Sequence, residues 1–171
     1  ADGVVIGSLN ADGTLNTEQM KEMMEAAGSC AVTMHRAFDV CADPFEALKK
    51  SAELGVDTIL TSGQEADCLA GCGLLKKLVQ LTDQSRSDSR RVTILAGAGV
   101  TSANIAEIAK KTGVRAFHMS GKRLLESGMR YRNERVHMGL GSLSEFECYR
   151  TDEAEIRRAA EILRTLGEDG R

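Results

Sequence analysis

Aromatic side chains make up only 4% of this chain of 171 residues, and tryptophan is absent. That scarcity removes the stacking platforms on which single-stranded nucleic acid is held. There is no excess of charge of one sign either. The formal net charge is −3, which gives no general attraction to nucleic acid or to an anionic membrane. No apolar run approaches the roughly 20 residues needed to span a bilayer, and no signal-peptide pattern opens the chain. An initiator methionine is missing, and the start at Ala1-Asp2-Gly3 reads as the interior of a longer protein. The cysteines (Cys30, Cys41, Cys68, Cys72 and Cys148) are odd in number and irregularly spaced. This argues against a disulfide framework and for reduced thiols in the cytoplasm.

What is present is a rhythm. Short apolar runs at Val4–Gly7, Ala31–His35, Thr58–Thr61, Val92–Ala96 and Arg115–Met119 alternate with stretches of helical periodicity. Repeated strand–helix units predict an α/β fold with a parallel sheet covered on both faces. The length suits a single domain, residues 1–171, with a sizeable core. Helix signals fill the gaps. Thr17 reads as an N-cap ahead of Met20, Met23, Met24 and Ala27, with Gly28 as the stop. Asp43-Pro44-Phe45-Glu46 combines an N-cap, a first-turn proline and a capping-box glutamate, with Leu48, Ala52 and Phe45 expected towards the sheet. A third helix is expected near Gly73, a fourth from Thr101 or Ser102, and a last from Asp152 to Leu166. Thr82–Arg90 is polar and aperiodic, and reads as an exposed loop. A closed (β/α)₈ barrel takes typically ~250 residues. The units therefore read either as an open doubly wound sheet or as an incomplete barrel whose first three strands are missing. In the second case open edges would expose backbone groups.

Parallel sheets put their chemistry where strands end. Gly97-Ala98-Gly99 follows one strand and precedes a helix. Glycines there let backbone N–H groups approach an anion at a helix N-terminus, although a plain tight turn needs them too. With Ser62, Gly63, Ser120 and Arg132 they form the candidate anion-binding set, and Lys122 and Arg123 lie close by. His35, Arg36 and Asp39 fall within five residues just past the second strand, and His118 lies on the fifth. A histidine moves protons near neutral pH and an arginine forks onto a carboxylate or phosphate. These four are the candidate catalytic residues; the alternative is an Arg36–Asp39 salt bridge with His35 in the core. The histidine pair could also supply metal ligands, but no third ligand stands at metal spacing. His137 reads as solvated or structural. Cys68 and Cys72 would share a helical face, and soft thiolates suit Cu(I) or Zn. The glycines around them and the lack of a companion pair favour small buried thiols.

His35-Arg36-Ala37-Phe38-Asp39, followed by Asp43-Pro44, resembles the CutC copper-homeostasis family. Gly7-Ser8-Leu9 with Asp12-Gly13, Leu60-Thr61-Ser62-Gly63, Gly97-Ala98-Gly99-Val100-Thr101, Phe117-His118-Met119-Ser120, and Ser127-Gly128-Met129 with Arg132-Asn133 resemble it in order, up to about Gly139. The resemblance implies a TIM-type (β/α)₈ barrel of which this is the C-terminal portion. It also implies a cytoplasmic location, a homo-oligomer, and Cu(I) as the copper species bound by the complete protein. The cysteines proposed as copper ligands in eukaryotic members fall in the missing part, so no metal ligand is assigned here. No nucleotide cofactor is expected. The alternative function is a barrel enzyme acting on a small phosphorylated or carboxylated substrate, and the expected partner is a small anion or a copper ion.

Overall fold

The computed structural model describes residues 1–84, 91–133, 135–136, 144 and 146–169. His137 and residues 85–90 lie outside them. The chain builds β1 (Gly3–Ile6), α1 (Thr17–Ala27), β2 (Ala31–Met34), a 3₁₀ turn (Arg36–Val40), α2 (Pro44–Leu54), β3 (Thr58–Thr61), α3 (Cys72–Gln84), β4 (Thr93–Gly97), α4 (Ile105–Thr112) and β5 (Ala116–His118). After these come β6 (Lys122–Glu126), β7 (Glu147–Thr151) and α5 (Glu153–Asp169). The first five strands form one parallel sheet in the order β1-β2-β3-β4-β5. The fold is therefore α/β, and the strand order contains no reversal of the kind that defines a doubly wound sheet.

That order corrects one expectation, the coverage of both faces. Crossovers between parallel strands are right-handed, so an unreversed series puts every helix on the same side. Val32, Met34, Ile59, Ile94 and Ala96 point into that side and are buried with Met20, Leu75, Leu78, Ile105 and Ile108. The other face carries Val5, 64% exposed, and half-buried Thr33, Leu60 and Leu95.

Local chemistry sets the helix ends. Asp43 accepts hydrogen bonds from the N–H groups of Phe45 and Glu46, as its spacing before Pro44 predicts. The α1 cap is Asn16 rather than Thr17: its side chain accepts from Gln19 N, and Thr17 is already helical. Gly28 and Gly55 close their helices at positive φ. Phe45 turns outward at 42% exposure, leaving Ala47, Leu48 and Ser51 to face the sheet. Thr82 is no loop residue. It is buried in the last turn of α3, where its hydroxyl donates to the Val79 carbonyl. The fourth helix starts later than expected, because the Asn104 side chain accepts from Thr101 N and ties residues 101–104 into a separate turn.

β6 and β7 pair antiparallel as a two-stranded ribbon outside the parallel sheet. Leu125 alone among its residues is not exposed. α5 then packs back against α4. No helix among the described residues is long and apolar enough to cross a membrane.

Candidate functional site

The carboxyl ends of β2 and β3 meet in a polar knot around Asp39. Its carboxylate, 6% exposed, accepts from Arg36 Nε at 2.5 Å, Thr61 Oγ1 at 2.5 Å, Ser62 N at 3.0 Å and Gln64 N at 3.3 Å. Arg36 also donates to Ser62 Oγ at 3.1 Å. A buried carboxylate is tolerable only when its charge and lone pairs are met, and here every donor comes from the adjoining strand end or turn. Asp39 thus ties the 3₁₀ turn to the loop after β3. Gln64, in a left-handed conformation (φ 60°), donates from its side chain to the Cys41 carbonyl and closes the same loop. Gly63 has φ 78°, and a Cβ on either Gly63 or Gly71 would collide with the other segment's backbone. Ser62 and Gly63 are therefore committed to this packing.

His35 lies at the N-terminus of the 3₁₀ turn. Its Nδ1 accepts from Ala37 N at 3.1 Å, which assigns the neutral ring's proton to Nε2. The imidazole lies directly over Gly7 of the neighbouring strand end, where a Cβ would come within 2.7 Å of it. Arg36 and His118 line one cleft with Ala98–Thr101 and Ser120–Arg123; His35 does not.

That cleft, about 620 Å³, opens at the ends of β4 and β5 and is closed on its far side by Asp152, Glu155 and Arg158 of the α5 end. Gly97 pairs with His118 across the strands, and a Cβ there would push against the end of the Leu60 side chain. Ala98 has φ 95° and Gly99 φ 67°. For alanine this is strained backbone of the kind that clusters at ligand sites. Among the described residues the N–H groups of Gly99 and Val100 make no hydrogen bond, so they are available to an anion. Ser102 is not. Its N–H and hydroxyl donate to the Glu155 carboxylate at 2.6 and 2.8 Å. These bonds, the backbone one foremost, together with Arg158, hold the Glu155 carboxyl below its ordinary range. Arg132 lies apart from the cleft lining, on the ribbon, paired with Glu126 at 2.6 Å and stacked over Phe146.

Sequence reasoning missed Thr61 and Gln64 as partners of Asp39, Glu155 as the partner of Ser102, and the whole ribbon. The Ser102–Glu155 pair joins residues 53 apart, and no local spacing signals it.

Cys41, Cys68 and Cys72 are poor soft-metal ligands. Thiolate, not thiol, binds metal. Burial pushes the Cys68 thiol up to about 12 and the Cys41 thiol up to about 11. Cys72 is also raised, chiefly by burial. Cys68 and Cys72 spend their S–H groups on the carbonyls of Thr61 and Cys68. Among the described residues no three His, Cys, Asp or Glu side chains converge as metal ligands. The donor set does not fit a copper centre.

Parallel strands in chain order, helices along one face and a polar cleft at the strand ends define an α/β protein whose site belongs to its strand-to-helix loops. A family model described as the CutC family matches residues 1–123, and the chain belongs to that family. It is 48% identical over 164 residues to a CutC family protein of Bacteroides fragilis, covering 95% of this chain and 63% of that one. Identity is 44% over 156 residues to a CutC family protein of Parabacteroides distasonis, covering 91% and 62%. A crystal structure of a CutC protein from Streptococcus agalactiae superposes with a TM-score of 0.62 at 27% identity, over 69% of this chain and 55% of that one. The chain thus spans less than two thirds of the length of these relatives.

Proposed function

We propose that the chain acts in copper homeostasis in the cytoplasm, as part of a closed, self-associating (β/α)₈ barrel. Membership of the CutC family carries this reading. The unreversed parallel strand order and the likeness to the Streptococcus agalactiae protein support the barrel. Copper is then cargo of the complete protein, and the thiols of Cys41, Cys68 and Cys72, raised by burial, are not its ligands. Titration of Cu(I) against a competing chelator tests that division, using the chain and a variant with all five cysteines changed to serine. Equal, weak binding by both is expected. Tight binding by the chain that the variant loses would overturn it.

A second reading rests on the cleft. His118, Arg36, Lys122, Arg123 and the free N–H groups of Gly99 and Val100 surround a space large enough for a small phosphorylated or carboxylated substrate. In it Arg36 holds the anion while Asp39 and Ser62 fix its guanidinium, and His118 moves protons. Anion binding would then survive removal of the cysteines and fail in Arg36→Ala. Loss in the cysteine variant would count against it.

A further inference from the structure

We propose that Arg123 and Arg150, placed directly opposite each other on the β6–β7 ribbon, are the phosphoryl-binding residues of the cleft, and that its ligand is a small molecule carrying a phosphate or pyrophosphate group. This rests on the reading of the cleft as an anion site and says where in it the anion is held.

The argument is an account of the cations. Arg36 commits Nε to Asp39 and Nη2 to Ser62, which leaves it only Nη1 for an anion. Arg158 is spent on Glu155, Arg132 on Glu126, and Lys122 lies 4.1 Å over the Tyr149 ring. Arg123 and Arg150 have no hydrogen-bonding, ionic or ring partner among the described residues, yet the strand register places them side by side. Like charges directly opposite in a sheet destabilise it. The ribbon's other like-charged pair, Glu126 with Glu147, is relieved by Arg132. Among the described residues nothing gives the arginine pair such relief. Arg123 lines the cleft, and the register puts Arg150 on the same face of the ribbon.

The opposite wall shows why the anion belongs on the ribbon side. The turn before α4 would offer Ser102 N–H and hydroxyl to an anion, but the Glu155 carboxylate already holds both. What remains in the lining is the Arg123 guanidinium, with Arg150 beside it on the same face of the ribbon, and the Gly99 and Val100 N–H groups. Two forks favour a phosphoryl group over a carboxylate. A carboxylate offers two oxygens in one plane, so one bidentate arginine fills its edge and a second finds only the outer lone pairs, whereas a phosphoryl group's three or four oxygens give each fork an edge of its own.

The test is calorimetric titration of inorganic phosphate, pyrophosphate and acetate into the chain and into R123A, R150A, R123K/R150K and R36A, with circular dichroism to confirm folding. Phosphate and pyrophosphate should bind and acetate should not. R123A and R150A should each weaken binding roughly tenfold or more, the loss of a charge-assisted hydrogen bond. The double lysine variant keeps both charges and loses the forks, so it should bind more weakly than the native chain and better than either alanine variant. Phosphate should also raise the melting temperature of the native chain and leave that of R123A unmoved. Phosphate binding that R36A abolishes and that R123A, R150A and R123K/R150K leave intact would overturn this proposal while sparing the cleft. Failure of the folded native chain to bind either anion at roughly millimolar concentration would overturn both.

Discussion

The parallel sheet with α1–α4 and the ribbon with α5 are built on opposite principles. In the first, Met20, Met34, Phe38, Ile59, Leu75 and Ile105 are sealed from solvent, and even its polar knot at Asp39 is saturated with donors. In the second, Tyr131 is 76% exposed, Leu124 and Tyr149 about half exposed, and the strands meet mainly each other. A lone two-stranded ribbon is marginal in water. The difference teaches where stability lies. The cleft sits on the seam, taking fixed backbone from the sheet side and unpaired cations from the ribbon side. Substitutions on the two sides should therefore differ in kind.

The sharpest contrast uses two glycines. A Cβ on Gly71 would drive into the Ser62 carbonyl, and neither backbone has room to retreat; a Cβ on Gly128 meets nothing. Gly71→Ala should cost about 3 kcal/mol or more in urea unfolding. Gly128→Ala should stay within about 0.5 kcal/mol. Similar costs for both would erase the distinction between the regions.

Two acidic residues give the next contrast. Asp39→Ala strands Ser62 N–H and Thr61 in the interior and should cost about 3 kcal/mol. Glu126→Ala breaks an exposed ion pair with Arg132 and should cost no more than about 0.5 kcal/mol. Chemical denaturation of both variants checks the pair. A mild Asp39→Ala would mean that the knot is better solvated than its 6% exposure implies.

The two regions also differ in how well they were written in the sequence. The five parallel strands stand within a residue or two of the apolar runs, and the Asp43-Pro44 cap forms as spaced, because both depend on neighbours in the chain. Where two short polar residues adjoin, as at Asn16 and Thr17, spacing could not choose between them. One-sided helix cover follows from strand order, which is a long-range property. The ribbon was invisible for the same reason. Lys122–Glu126 reads as a charged stretch with no period-2 alternation, and it becomes a strand only because Glu147–Thr151 returns to pair with it. At the cleft, Arg36, Gly97–Gly99, His118 and Ser120 were legible as strand ends, whereas Glu155 reaches it, and Arg150 comes beside Arg123, through pairings no local pattern announces.

The thiols report the contrast without mutation. Cys41 and Cys68 are buried, with pKa values pushed up to about 11 and about 12, while Cys148 is exposed on β7. Iodoacetamide at pH 8 should modify Cys148 first and leave Cys41 and Cys68 intact until denaturant is added, as read by peptide mass. Early labelling of Cys68 would show that the sheet side opens as readily as the ribbon.

The smallest effect concerns the bond that joins the regions. Glu155 holds Ser102 from α5, and its carboxyl is kept below its ordinary range by the Ser102 N–H, the Ser102 hydroxyl and Arg158. A depressed folded value means that the carboxylate contributes stability in full above the unfolded value, near pH 4.5, and loses it as pH falls through the lower folded value. Amide protection in α5, taken relative to intrinsic exchange at each pH, should therefore fall on acidification below that point, ahead of protection in β3 and β4. Glu155→Gln keeps an acceptor for Ser102 but no longer titrates, so its α5 should be less protected than the native helix at pH 6, and that protection should change less between pH 6 and pH 3. An unaltered pH profile in that variant would mean that α5 is held to α4 by Ala159 and its apolar neighbours alone, and the seam would carry no charge-dependent joint.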